Sequence, residues 1–137
     1  MYERLLVAVD QSEVSDRVIA AAKELASLSK GKVWVLHLRE HEYGRIERTP
    51  IESDEEAHEP VSAGVQALTQ AGIDAQGEVR AAVFGHAARE IVADAKEHDA
   101  DVIVMGSRGR SDFAGAILGS TAHKVIHLTD RPVLVIR

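Results

Sequence analysis

Between Gly106 and Thr121 the chain reads GSRGRSDFAGAILGST. This stretch holds four glycines, two arginines (Arg108 and Arg110) and hydroxyls at Ser111, Ser120 and Thr121. It follows an apolar run, DVIVM, and leads into a helical period, AHKVIHLT. Glycine lets backbone N–H groups approach an oxyanion closely and takes up positive φ at no steric cost. A helix start adds unpaired donors and the positive end of the helix dipole. Gly119, Ser120 and Thr121 stand at such a start. Bare amides, hydroxyls and guanidinium groups in one place suit a polyphosphate. The plainer reading of the glycines is that they serve turns and helix-to-sheet packing. For either arginine taken alone, the plainer reading is a solvated surface. Arg108 lies inside the glycine spacing and is favoured as a ligand group; Arg110 stays open.

Two well-known phosphate loops are absent. Gly115-Ala-Ile-Leu-Gly119-Ser120 has neither the spacing nor the lysine of G-x-x-x-x-G-K-[ST], and no G-x-G-x-x-G occurs. What is present is Gly106-x-x-Gly109, nine residues, then Gly119-Ser120. Asp10 ends the first apolar run. Its carboxylate could accept ribose hydroxyls or help hold a Mg²⁺ that bridges phosphate oxygens. It could equally be a turn residue bonding its own backbone. Seven histidines raise the question of a metal. His123 and His127 are one helical turn apart but show no third ligand, so solvent-facing histidines are the favoured reading. His37 and His41, astride a strand end, make a weaker case.

These residues need a scaffold. LLVAV (5–9), VWVLHL (33–38), VIVM (102–105) and VLVI (133–136) are nearly continuous apolar runs. Such strands suit a parallel sheet covered on both faces. IDAQGEV (73–79) alternates, with Ile73, Ala75, Gly77 and Val79 on one face, which predicts a half-exposed edge strand. Helical stripes lie between. Val14, Val18, Ala22, Leu25 and Leu28 form the first, with Ser12 placed to cap it. Ala57, Val61, Val65 and Leu68 form the second, after Ser53-Asp54-Glu55-Glu56 with capping-box spacing. Pro60 falls inside it and predicts a kink or a later start. Ala87, Ala88, Ile91, Val92 and Ala95 form the third. Ala122, Val125, Ile126 and Thr129 form the fourth, ended by Asp130-Arg131-Pro132. The order β-α-β-α-β-α-β-α-β implies right-handed crossovers and an open α/β sheet. In such sheets ligands sit at the carboxyl ends of the strands where strand order reverses. The segment from Arg39 to Glu52 is the long irregular piece, read as a lid or a variable loop.

The 137 residues suit one domain, 1–137, with a single core. No apolar segment approaches the ~20 residues of a membrane span, and the opening MYERLLVAVD reads as a strand rather than a secretory leader. Cysteine is absent, which excludes a disulfide framework and thiolate chemistry and fits a cytoplasmic protein. A net charge of −6 argues against a non-specific nucleic-acid binder. It leaves a small phosphate ligand open, because charges beyond about 8 Å are largely screened at physiological salt.

The spacing G-x-x-G-x₉-G-[ST] after an I-V-M strand resembles the ATP-binding branch of the universal stress protein family. The resemblance covers essentially the whole chain. LLVAVDQS is similar to that family's first strand and Asp-x-Ser turn, and VWVLHL to its second strand. VFGHAAREIVADAKEHDADVIVMGSRG is similar to its third helix and fourth strand, and RPVLVIR to its closing strand. The resemblance implies a Rossmann-like fold of the adenine nucleotide alpha hydrolase type, with strand order 3-2-1-4-5 and Asp10 beside Gly106. It implies ATP, or AMP or cyclic AMP, bound with Mg²⁺ that Asp10 helps to hold. Gly106, Gly109 and Gly119 would approach phosphate and ribose; Ser107, Arg108, Ser120 and Thr121 would contact phosphates. Leu36 and His37 would meet the adenine. It further implies a homodimer paired through the last strand, 132–137, acting as a cytoplasmic regulator read by a further protein partner. A slow ATP hydrolase is the alternative, short of a phosphate-loop lysine and of a spaced base. A nucleotide-free dimer ranks third. One residue departs from the pattern: Gln11 stands where the family has glycine, and its side chain could crowd the ligand.

Overall fold

The computed structural model describes residues 1–41, 52–109 and 118–137. Its elements are β1 (Arg4–Ala8), α1 (Val14–Ser29), β2 (Lys32–His41), α2 (Asp54–Gln70), β3 (Ala75–Val83), α3 (Ala87–Glu97), β4 (Val102–Gly106), α4 (Ser120–Leu128) and β5 (Val133–Ile136). The strands form one five-stranded sheet in the order β3-β2-β1-β4-β5. Every pair is parallel. The order reverses between β1 and β4, the expected place. β3 is an edge strand, as its alternation implied.

Successive side chains on a strand point to opposite faces, so β1 feeds two cores. Leu5 and Val7 pack with Val14, Val18 and Ala22 of α1 and with Val61 and Leu68 of α2. Leu6 packs with Ile91 and Val92 of α3 and Val125 of α4. Helices on both sides are why the central strands carry no polar alternation. Burying a Leu or Val side chain fully contributes roughly 1.5–3 kcal/mol, so these short strands hold the sheet's centre.

Local details correct three sequence expectations. Ser12 does not cap α1. The helix starts after Glu13 without a side-chain cap, and the Ser12 hydroxyl donates to Asp10 Oδ1 instead (2.5 Å). Leu28 lies off the buried stripe at 85% exposure, while Ile19 and Ala26 complete it. Ile126 is likewise exposed on α4, where Ala122 and Val125 carry the packing. Both errors come from wide stripes read on a 3.6-residue period, where a position at the stripe's border can fall either way. Among the described residues no helix is long and apolar enough to cross a membrane.

The second helix does not start late. It begins at Asp54, and Ser53 Oγ accepts the Glu56 N–H at 3.1 Å. Pro60 sits within it. Proline lacks the N–H that would bond the carbonyl four residues back. That carbonyl belongs to Glu56, and the Gln11 side-chain amide donates to it. Further along, α2 approaches β3 closely over Gly77. A Cβ there would stand 2.3 Å from Val61 Cγ1 and 2.9 Å from Val65 Cγ2.

Candidate functional site

A cleft opens at the carboxyl ends of β1 and β4, where the strand order reverses. Asp10, Leu36, His37, Gly106, Ser107, Arg108, Gly109 and Thr121 line it, with Ser12 and Ser15 from the β1–α1 turn. The topology therefore gathers residues more than 100 positions apart in the chain. Gly119 and Ser120 stand next to it, as N-cap and first residue of α4. Arg110, Ser111 and Gly115 lie outside the described residues, as does 42–51 of the long irregular segment.

Asp10 makes the local turn foreseen for it. Its Oδ1 accepts the Ser12 N–H (2.8 Å), the Ser12 hydroxyl (2.5 Å) and the Ser15 hydroxyl (3.1 Å). This is a local turn that fixes the carboxylate. Oδ2 has no hydrogen-bond partner among the described residues. The turn thus engages one carboxylate oxygen and leaves Oδ2 outside it. One such oxygen fits a ribose hydroxyl or one coordination position of Mg²⁺, a hard cation that takes few protein ligands.

The loop after β4 uses its amides unevenly. The Ser107 N–H continues the sheet to Ile136 O (2.7 Å), and the Gly119 N–H donates to Ser107 O (2.5 Å). These two bonds bring the start of α4 against the end of β4. Neither amide is left to face an anion. Among the described residues, the first-turn amides of α4 stand at this point as donors without an intrahelical carbonyl. The Thr121 side chain borders the cleft beside them. The glycines also differ from expectation. Gly119 has φ −72° and ψ 163°, extended backbone open to any residue. Gly106 is not in a left-handed conformation either; a Cβ there would meet Val14 Cγ1 at 2.8 Å and the Arg108 carbonyl at 3.3 Å. At Gly106 the missing side chain lets α1 close over the end of β4, the packing role weighed against ligand approach.

His37 is buried and both ring nitrogens are engaged. Nδ1 lies 2.8 Å from Val9 O, and Nε2 lies 2.7 Å from Glu52 Oε1. A carbonyl can only accept, so the Nδ1 contact is made with the proton on that nitrogen. The imidazole is therefore a clasp between the end of β1, β2 and the lead into α2. Arg39 strengthens it by donating to Glu52 O at 3.2 Å and 3.1 Å. His37 presents the side of a fixed residue to the cleft rather than an open ring nitrogen.

Several lining residues escaped the sequence reading: Val9, Leu38, Glu40, Ala87, Ile91 and Met105. Ala87 and Ile91 were placed correctly on the buried stripe of α3. Their second role follows from α3 starting where β3 ends, which turns its first turns toward the carboxyl end of the sheet. Together with Leu36 and Leu38 they give the cleft an apolar side opposite the polar turn at Asp10. Glu40 is a second acidic residue of the lining, beside Asp10. Burial, and then the neighbouring Glu52 charge, push its carboxyl above the usual range, with His37 opposing.

Gln11 does not line the cleft. Its amide is turned to Glu56 O and to Glu52 Oε2 (3.3 Å). His123 and His127 meet edge to face, 4.5 Å between ring centroids. The metal-ligand grouping found among the described residues is a different one, Glu78, Asp94 and His98.

Fold and cleft define an open α/β protein with a ligand crevice at the switch point of its sheet. The profile of the universal stress protein family matches residues 1–137. The chain belongs to that family. It is 34% identical over 148 aligned positions to universal stress protein YxiE of Bacillus subtilis, covering 100% of each chain. Among solved structures it is similar to a universal stress protein from Archaeoglobus fulgidus, with TM-score 0.79, 32% identity and 100% of each chain covered. It is also similar to the universal stress protein from Archaeoglobus fulgidus in complex with dAMP. There the TM-score is 0.74 and the identity 29%, over 99% of this chain and 98% of that one.

Proposed function

We propose that this protein binds an adenine nucleotide, ATP with Mg²⁺, in the cleft between β1 and β4, and acts as a homodimeric regulator. The observation that carries the reading is the cleft itself. Sheet topology brings the Asp10 turn, the Gly106–Gly109 loop and the start of α4 to one crevice with an apolar side. A relative of the same fold is described in complex with dAMP, which supports an adenine nucleotide as the ligand class.

In this reading the chemistry divides along the cleft. Leu36, Leu38 and Ile91 offer apolar surface to a base. Asp10 Oδ2 accepts a ribose hydroxyl or takes one position on Mg²⁺. The first turn of α4, with Ser120 and Thr121, offers donors and the positive dipole end to the anionic tail. Arg108 adds charge. When bound, Mg²⁺ would neutralise phosphate oxygens; Asp10 is the residue placed to share in holding it.

The homodimer is proposed through β5, an edge strand of the sheet. Unpaired N–H and C=O groups on an edge are a template for a second copy. Leu134 is exposed on this strand. Nucleotide binding would then be sensed at the dimer surface or near the segment after β2 by a protein partner, to the extent that its affinity differs between two states.

The test is native mass spectrometry of the purified protein, followed by heat release and identification of the nucleotide. An adenine nucleotide near one per chain supports the reading; protein that carries none and takes up none on addition opposes it. Timed phosphate release, with Asp10→Ala as control, distinguishes a binder from a slow hydrolase.

A further inference from the structure

We propose that Glu78, Asp94 and His98 form a site for a divalent transition-metal ion such as Zn²⁺, on the α3 side of the sheet and separate from the cleft. Each of the three offers one ligand atom, and these atoms all lie within 4.8 Å of one another. None of the three lines the cleft. Asp94 and His98 are one helical turn apart at the end of α3, and Glu78 comes from β3. His98 Nε2 lies 3.4 Å from Glu78 Oε1 and 3.5 Å from Asp94 Oδ1.

Three features point to a ligand rather than to a surface ion pair. First, Asp94 is 0% exposed, and its Oδ2 has no hydrogen-bond partner among the described residues. A buried carboxylate oxygen without a partner is costly, and a cation would satisfy it. Second, the charge is unbalanced. Among the described residues, Arg80 is the cation paired with Asp94 (2.6 Å), Glu97 (2.8 Å) and Glu90 (3.5 Å). Glu78 adds a fourth carboxylate to the same patch. Third, the imidazole is positioned. The His98 ring stacks on Trp34, centroids 4.9 Å apart and planes at 21°, and its carbonyl accepts from Arg4 Nη1 at 3.3 Å.

One imidazole nitrogen and two carboxylate oxygens favour a first-row ion over Mg²⁺ or Ca²⁺, which prefer oxygen alone. Arg80 would stay on Asp94 Oδ1 while Oδ2 meets the ion. Arg80 and Arg4 oppose the ion; Glu90 and Glu97 favour it.

The experiment is calorimetric titration of the full, tag-free, chelator-treated chain with Zn²⁺ alone, repeated with Co²⁺ read by visible absorption. The expected result is one equivalent bound, weakened at least tenfold in Glu78→Gln and in His98→Gln. A His123→Gln/His127→Gln variant should bind as wild type does. Glu78 and His98 are partly exposed, so both single variants should fold, which circular dichroism would verify. Absence of saturable binding overturns the site, as does binding that survives both single variants or is lost with His123 and His127. Adenine-nucleotide affinity should be unchanged in Glu78→Gln, so failure here is separable from failure of the cleft.

Discussion

Gln11 donates its side-chain amide to the carbonyl of Glu56, the one that Pro60 leaves without its helical donor. Two local anomalies, a glutamine in a glycine position and a proline inside a helix, thus answer each other across the β1–α1 turn and α2. Each looked unfavourable by itself. Gln11→Ala should cost about 1 kcal/mol in urea unfolding, the usual net value of one hydrogen bond. In a Pro60→Ala background the helix supplies its own donor, so the same change should cost less. A double-mutant cycle measures that coupling. Nucleotide affinity should move little, because Gln11 is not part of the cleft wall.

The glycines of the loop should separate by role. Gly109→Val and Gly119→Val are expected to abolish nucleotide binding with near-native circular dichroism, the Gly119 backbone being in an extended conformation that any residue adopts. Gly106→Ala is a packing mutant. Its Cβ would meet Val14, and overpacking of this kind costs about 1–3 kcal/mol. Val14→Ala in the same chain should recover part of that loss. Thermal unfolding with and without nucleotide distinguishes the two classes.

The edge of β5 gives a test of assembly. The carbonyls of Pro132 and Ile136 accept from Ile103 of β4 and from Ser107 just past its end. In a parallel strand alternate residues direct both backbone groups to the same side. Val133 and Val135 therefore turn theirs to the open edge. Val135→Pro removes an outward donor while sparing the bonds to β4. Sedimentation should show a dimer in the wild type and a weakened one in the variant, with folding followed in parallel. An unchanged dimer would reject this edge as the interface.

The Asp94 carboxyl links stability to pH. Its folded value is raised from 3.8 to about 6. Between those values the folded protein keeps a proton that the unfolded chain releases, so this group's contribution falls as pH rises from about 4 to about 6 and is level above. Glu78, Arg80 and His98 share that environment. The stability of wild type relative to Asp94→Asn, measured by denaturant titration at each pH, should decline over that window. A flat difference would show that the proton is not held.

Much of the fold was legible because buried parallel strands are apolar without interruption and helices repeat on a different period. The runs around Leu5, Val33, Val102 and Val133 all became strands. Their order did not follow from periodicity, since continuous apolar strands look alike; the family resemblance supplied it. In the cleft, Asp10 and the loop after β4 were readable from glycine spacing and chain position. The engagement of His37 with Val9 and Glu52 was not, because it joins three segments distant in sequence. Asp94 was hidden for a related reason. An aspartate among Arg89, Glu90, Lys96 and Glu97 reads as solvated helix surface, and only the approach of β3 with Arg80 buries it.

The central claim rests on the cleft between β1 and β4, and calorimetry tests it directly. Titrating the nucleotide-free protein with ATP in the presence of Mg²⁺ should give saturable binding near one per chain, lost in Gly109→Val and weakened at least tenfold in Asp10→Ala. No heat with ATP, AMP or cyclic AMP, with or without Mg²⁺, in a protein that is folded, would contradict it.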